Sequence, residues 1–180
     1  MARLILASSS ARRRELLEQL GLVFDIYSPD IDESVQAGES VADYVERLAC
    51  AKAKAVQLQY PDAIVIAADT SLGVDQEILG KPESKQHAFE IWEKISGRKH
   101  DVYTAVCVRT NTQISSIVVR TEVEFQHLSP NDMEAYWATS EPIGKAGAYA
   151  IQGIAARYIP RIEGSYSNCL LYTSPSPRDK

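Results

Sequence analysis

Cysteine is scarce: Cys50, Cys107 and Cys169 are the only three in 180 residues. An odd number scattered without paired spacing makes neither a disulfide framework nor a zinc site, so the chain is expected in a reducing compartment, the cytoplasm. Excess positive charge is missing as well. Nineteen Lys and Arg against 24 Asp and Glu leave a net charge of -5, which argues against broad adhesion to nucleic acid or to an anionic membrane surface. A phosphate ligand must then be held by cations gathered locally. Long apolar runs are absent too, because Leu4-Ile5-Leu6-Ala7 is too short for a signal h-region or a membrane span and leads straight into serines and arginines. There are no internal repeats. What remains is a chain with 45% hydrophobic residues, enough to bury a full core in one domain with room for two lobes across a cleft.

The most informative stretch is Ala63-Ile64-Val65-Ile66-Ala67-Ala68-Asp69-Thr70. Apolar residues without alternation read as a strand covered on both faces, as in a parallel or mixed sheet. Ligands of open α/β sheets sit beyond the carboxyl ends of strands, and Asp69 is expected at that end. It either does chemistry there or caps a turn.

At the amino end, Arg3 to Ala7 predicts a strand, Ser8-Ser9-Ser10 a set of helix N-caps, and Ala11 to Leu20 a helix with Leu16, Leu17 and Leu20 inward, stopped by Gly21. Arg12, Arg13 and Arg14 fall in its first turn, where the helix dipole disfavours cations. Three arginines behind a serine loop at a helix N-terminus suit a polyanionic ligand such as a triphosphate.

Phe24 to Ser28 reads as a second strand, followed by the acidic loop Pro29-Asp30-Ile31-Asp32-Glu33-Ser34, whose carboxylates could hold a divalent cation or simply be solvated. Ser40 with Asp43 opens a long helix to about Tyr60, its apolar stripe being Val41, Tyr44, Val45, Leu48 and Ala55. Lys52 lies on that stripe, either snorkelling to an edge or pointing into a site. Ser71 to Val74 and Glu77 to Leu79 form a hairpin about Asp75-Gln76, and Gly80-Lys81-Pro82 is a rigid turn that could aim Lys81 back at the strand end. Ser84 caps a helix with Ala88, Ile91, Trp92 and Ile95 inward and Ser96-Gly97 at its end.

Asp101 to Arg109 and Ile114 to Phe125 read as strands. Ser129-Pro130-Asn131-Asp132 starts a helix that buries Met133, Tyr136 and Trp137. The segment from Glu141 to Gly153 is rich in small residues, letting a ligand approach the backbone, with Lys145 and Gln152 as polar handles. Tyr158 to Ile162 is expected as a last strand and Gly164 to Asn168 as a turn. Beyond it, the Ser-Pro tail has no periodicity, and a disordered or foreign segment is expected over 169–180, leaving 1–168 as a single α/β domain.

In combination, Leu6-Ala7-Ser8-Ser9-Ser10-Ala11-Arg12-Arg13-Arg14-Glu15-Leu16-Leu17, Asp32-Glu33, Arg47-Leu48-Ala49 with Lys52-Ala53, Ala68-Asp69-Thr70, Gly80-Lys81-Pro82, Ser96-Gly97-Arg98-Lys99-His100 and Lys145-Ala146-Gly147-Ala148-Tyr149 through Gln152-Gly153 resemble the Maf family of nucleoside triphosphate pyrophosphatases. The resemblance covers roughly the first nine-tenths of the chain. It implies a Maf/ITPase-like α/β fold, a mixed twisted sheet flanked by helices, with two lobes around a nucleotide-binding cleft. It also implies a cytoplasmic homodimer that cleaves a nucleoside triphosphate to monophosphate and pyrophosphate, house-cleaning nucleotide pools, with a divalent metal, Mg2+ or else Mn2+ or Co2+. Neither nucleic acid nor membrane is expected as a partner.

Carried onto matching positions, the resemblance puts the catalytic carboxylate on Asp69, with Glu33, Lys52 and Lys81 around it and the metal on Glu33 and Asp69. Ser8, Arg12, Arg13, Thr70, Lys145 and Gln152 fall to the substrate. An ionised Asp69 could serve as general base or as metal ligand.

Arg12, Thr70 and Gln152 stand where the dTTP/UTP branch of the family has Arg, Thr and Gln, whereas a 7-methyl-GTP branch typically has Trp in place of Arg12. A glutamine amide matches two groups of a uracil or thymine edge, and cytosine would set donor against donor. The chain departs from the family in two places: Ala11 replaces a usual proline, and after Asn168 the usual Gly-Leu-Pro segment and closing helix are missing. A nucleotide-binding regulator of cell division without catalysis is the alternative from another functional class.

Overall fold

A computed structural model describes residues 3–170, with the backbone alone for Cys169 and Leu170. The expected tail from 171 onward lies outside the described residues. The strands are β1 (Leu4–Leu6), β2 (Asp25–Ile26), β3 (Ile64–Val74), β4 (Glu77–Leu79), β5 (Lys99–Arg109), β6 (Ile114–Glu124) and β7 (Arg161–Glu163). The helices are α1 (Ala11–Gln19), α2 (Val41–Gln59), α3 (Lys85–Ile95), α4 (Pro130–Ala138) and α5 (Tyr166–Leu170), and short 3-10 helices cover Ala146–Ala148 and Ile154–Tyr158.

The strands form one mixed sheet in the order β2-β1-β3-β5-β6-β7, with β4 paired to β3. Strand β1 runs parallel to both β2 and β3, pairing Leu6 with Ile26 and with Ile66. This is the α/β architecture with flanking helices expected from the unalternating run at 63–68.

The chain divides into two compact units, one of residues 3–70 and 104–119, the other of 71–103 and 120–170. In the first, Val41, Val45, Leu48, Ala49, Ala53 and Val56 of α2 are buried with Ile5 and Leu6 of β1 and Val65 and Ala67 of β3. Their spacing of three and four residues along α2 is that of one helix face. Each such Val or Leu taken from water contributes about 1.5–3 kcal/mol. In the second unit, Ala88, Ile91, Trp92 and Ile95 of α3 join Val123, Phe125, Met133, Tyr136, Tyr149 and Tyr158 in one core. Trp92 lies 5.3 Å from the Tyr136 ring, and Phe125 lies 4.9 Å from that of Tyr149.

Helix starts follow the expected chemistry. Ser40, Ser84 and Ser129 accept the backbone N–H of Asp43, His87 and Asp132, and Ser129 with Asp132 completes a reciprocal capping box. Asp75 and Gln76 adopt φ of 50° and 66°, a left-handed pair that closes the β3–β4 hairpin as a primed turn.

Four expectations need correction. Leu20 is 50% exposed, because α1 ends at Gln19 and Leu20 has turned away as the cap. Only Asp25 and Ile26 of the expected second strand pair, since β1 offers just three residues as a partner. Residues 154–158 are helical and the last strand begins at Arg161; Ala155 and Tyr158, three apart, both turn into the core, and Pro160 cannot donate to a ladder. The expected turn at 164–168 becomes the start of α5, where buried Asn168 donates from Nδ2 to the carbonyl of Val102 at 3.0 Å and to Thr121 Oγ1 at 2.9 Å.

Candidate active site

Strand β3 does not stop at Thr70, so Asp69 is mid-strand rather than at a strand end. It is nonetheless three residues past Ile66, the last position paired with β1. Asp69 therefore sits beyond the carboxyl end of the neighbouring parallel strand, where α/β sheets bind ligands.

Lys52 comes to it from the buried stripe of α2. Its ammonium lies 2.6 Å from Asp69 Oδ1 and 2.7 Å from Glu33 Oε1, so one cation bridges two carboxylates. Both Lys52 and Asp69 are buried, while Glu33 is on the exposed side. Lys52 thus points into a site and does not snorkel. Burial pushes the Asp69 carboxyl above its ordinary range, against the pull of Lys52 and Arg13 in the other direction. Burial likewise pulls the Arg13 guanidinium down, opposed by Asp69 and Glu33. It stays a cation, as guanidinium does in proteins.

The serine loop and α1 form the other wall of this constellation. Ser10 caps α1, and buried Ser8 accepts from the backbone N–H of Ser10 at 3.2 Å and from the Arg13 guanidinium at 3.0 Å. Arg12 donates to Glu15 at 3.1 Å. The Nε–H groups of Arg12 and Arg13 are both buried without a hydrogen-bond partner among the described residues. Buried donors of that kind are costly unless something pairs with them. Two orphaned guanidinium donors at a helix N-terminus fit an anion with several oxygens. Arg14 instead lies on the surface beside Glu18.

Thr70 is tied to Thr104 of β5 by a 2.8 Å hydroxyl contact. Ser8, Arg13, Glu33, Lys52, Asp69 and Thr70 all belong to the first unit, and so does Arg12. Lys81, Lys145 and Gln152 belong to the second. There the backbone N–H of Gly147 donates to the carbonyl of Gly80 at 2.9 Å, which sets the exposed Lys81 and Lys145 on adjoining segments. Gly147 has φ of 70°, in the left-handed region, and a Cβ there would fall 2.2 Å from Cδ2 of buried Leu72, so this position favours glycine. Gln152 is exposed at the third position of the turn Ala150–Gly153, closed by a 3.0 Å bond from Gly153 N–H to the Ala150 carbonyl.

Two residues without an assigned role hold the Glu33 loop. Arg47 grips Glu39 with two bonds of 2.6 and 2.8 Å and donates to the Ser34 carbonyl at 2.9 Å, while the Tyr44 hydroxyl donates to the Glu33 carbonyl at 2.9 Å. The signal in the sequence was Arg47-Leu48-Ala49, whose arginine sits one helical turn and a residue before Lys52. Ser34 N–H also caps Asp32 Oδ1 at 2.9 Å, an Asx turn that draws the Asp32 carboxyl below its usual value.

Two carboxylates are a donor set that suits a hard divalent cation, which typically takes one or two carboxylates and completes its shell with substrate phosphates and water. No group of three or more His, Cys, Asp or Glu side chains with ligating geometry occurs among the described residues. The pair Glu33 and Asp69 is thus compatible with a metal held jointly with a phosphate ligand. No described helix is long and apolar enough to cross a membrane.

The chain is 65% identical over 163 residues to a dTTP/UTP pyrophosphatase of Acinetobacter baylyi, an alignment covering 91% of this chain and 89% of that protein. It is 48% identical over 164 residues to the dTTP/UTP pyrophosphatase of Vibrio parahaemolyticus, covering 91% and 87%. Among solved structures, the Ham1 protein of Staphylococcus aureus superposes with a TM-score of 0.47 at 15% identity, over 68% of this chain and 71% of that one. The family profile described as Maf-like protein matches residues 3–170, and the chain belongs to the Maf family.

Proposed function

We propose that this protein hydrolyses dTTP and UTP, and modified pyrimidine nucleotides of the same pattern, between the α and β phosphates, releasing the monophosphate and pyrophosphate. The observation that carries the reading is the ion pair of buried Asp69 and Lys52, joined by Glu33 from the exposed side and beside Arg13, in a chain whose relatives bear that activity in their names. Asp69, its pKa raised by burial, takes the proton from the attacking water. Lys52 keeps that carboxylate oriented and balances its charge. Glu33 and Asp69 would hold a divalent cation, Mg2+ or in its place Mn2+ or Co2+, which when bound would supply charge neutralisation for the triphosphate. The open donors of Arg12 and Arg13, with Ser8, bind the phosphates. Lys81 and Lys145 are assigned to charge developing on the leaving pyrophosphate. Thr70 and Gln152 are assigned to the base. The reading extends to a cytoplasmic homodimer.

The test is metal-dependent release of pyrophosphate from dTTP, UTP, CTP and 7-methyl-GTP by the wild type and by Gln152→Ala. The wild type is expected to favour dTTP and UTP, and the variant to lose about tenfold or more of its preference for UTP over CTP, the worth of one mispaired polar contact. Equal loss on all four nucleotides, or an initial preference for 7-methyl-GTP, would overturn the base assignment. Tight binding without turnover would point to a nucleotide-binding regulator.

A further inference from the structure

The turn that carries Gln152 is held at both of its ends by one pair of side chains on and just after α4. Glu141 Oε2 accepts the backbone N–H of Ile154 at 2.9 Å, and Oε1 accepts that of Ala155 at 3.3 Å and the Tyr136 hydroxyl at 2.7 Å. The same Tyr136 hydroxyl accepts the backbone N–H of Ala150 at 3.2 Å. Ala150 opens the turn and Ile154 directly follows its last residue, so three backbone donors bracketing Ile151-Gln152-Gly153 end on the Tyr136–Glu141 pair. The Tyr136 phenol is buried, and burial together with Glu141 holds its proton in place.

Gly153 is part of the same arrangement. Its φ of −103° lies outside the left-handed region that favours glycine, so what matters at this position is space. A Cβ at 153 would lie 2.1 Å from Glu141 Oε2, 2.4 Å from Cδ and 2.6 Å from Oε1. A Cβ at 153 would therefore push the Glu141 carboxylate off its hydrogen bonds to Ile154 and Ala155.

We propose that Glu141 is a positioning residue for nucleobase selection: it never meets the nucleotide, but fixes the Ala150–Gly153 turn so that Gln152 presents its amide to the base. The proposal rests on the reading that Gln152 meets the base. A hydrogen-bonding amide discriminates only within a few tenths of an ångström, and displacement on the scale of 1 Å can cost two orders of magnitude. Loosening the turn therefore erodes selection while the cluster around Asp69 is left alone.

The experiment measures kcat and KM for UTP and CTP, with melting temperature, in Glu141→Ala, Gly153→Ala, Gln152→Ala and the pairwise double variants. Glu141→Ala and Gly153→Ala are each expected to lower the UTP over CTP preference by about tenfold, through KM for UTP rather than kcat. With Glu141 already alanine, the carboxylate that Gly153→Ala would strike is gone, so the second substitution should add little. In the Gln152→Ala background, Glu141→Ala should alter the preference no further. Gly153→Ala keeps the test alive if Glu141→Ala folds poorly, and Glu141→Gln, which retains one acceptor, should lie between the wild type and Glu141→Ala.

Wild-type preference in both Glu141→Ala and Gly153→Ala, with preference lost in Gln152→Ala, would overturn the positioning role and leave base reading by Gln152 standing. Preference lost in Glu141→Ala but kept in Gln152→Ala would overturn action through Gln152 and the base assignment together. A fall in kcat on both nucleotides alike, tracking a lowered melting temperature, would make Glu141 a structural residue only.

Discussion

The two units bury different kinds of polar group. Among the described residues, only the first buries charges, Asp69 and Lys52, with Arg13 close enough to feel Asp69 and Glu33, next to the neutral Ser8, Gln57 and Thr104. In the second, the buried polar side chains are neutral. His100 meets the Tyr149 hydroxyl at 2.7 Å, Trp92 Nε1–H donates to the Ala148 carbonyl at 3.0 Å, and Asn168 donates to Val102 and Thr121. A charge withdrawn from water costs several kcal/mol even when paired, whereas neutral groups with good partners cost little. The first unit thus stores electrostatic tension where an anion and a cation could relieve it, and the second uses a rigid aromatic core to hold its loops still.

Replacing the centre of the charged cluster is the strongest way to break this comparison. Asp69→Asn should lower kcat/KM for dTTP by roughly 10²–10⁴-fold, the usual contribution of a positioned base. The amide also leaves the buried Lys52 ammonium with Glu33 as its one counter-ion, and removing one partner of a buried ion pair is destabilising, so melting temperature should fall as well. Near wild-type turnover would deny that the charged cluster carries the chemistry.

The mirror-image change falls in the second unit. Trp92 is fully buried, stacks 5.5 Å from Phe89 and 5.3 Å from Tyr136, and ties down the segment of Lys145 to Tyr149 through Ala148. Trp92→Ala should cost about 3–5 kcal/mol in chemical denaturation, and Trp92→Phe, which loses the N–H bond and part of the indole but keeps a packed aromatic ring, less, about 2 kcal/mol. A Trp92→Phe protein as unstable as Trp92→Ala would mean that the single hydrogen bond, and not packing, organises this core.

Legibility in the sequence followed the reach of the interactions. Ser40, Ser129 with Asp132, and Asp75-Gln76 act within four residues, and the elements they start or close were read from the chain. Lys52 on an apolar stripe left two readings open because its partners lie 17 residues ahead and 19 behind, on a strand and a loop that only the fold brings near. In the fold its ammonium lies 2.6 Å from Asp69 and 2.7 Å from Glu33. The strand expected over 158–162 begins only at Arg161, because Tyr158 ends a 3-10 helix that turns it and Ala155 into the core. Nothing local announces that Glu141 occupies the space beside Gly153, so a glycine readable as mere flexibility turns out to be steric. Arg47 was visible as a motif residue, but its grip on Glu39 and Ser34 depends on how the acidic loop returns to α2.

A pH titration sharpens the contrast within the second unit. His100 is 3% exposed, and burial holds its imidazole neutral with a pKa of about 4, against an ordinary value of 6.5. Its ring packs 5.5 Å from that of Phe125, and Nδ1 is buried with no hydrogen-bond partner among the described residues, so a proton added there has nothing to pair with. Because the folded pKa lies below the unfolded one, the stability that comes from a neutral His100 is complete above about pH 6.5. It is lost as pH falls toward about 4, and the difference between the two values corresponds to about 3 kcal/mol. Asp69 titrates in the opposite sense, since its raised pKa makes acid less costly to the fold. The measurement is therefore a difference: unfolding free energy from pH 7 to pH 4 for the wild type less that for His100→Asn, a substitution that cannot take up the proton and leaves Asp69 as it is. The wild type should lose more stability than the variant over this range. Parallel curves would show that the imidazole is already solvated and that the aromatic core around Tyr149 is looser than its neutral, fixed partners imply.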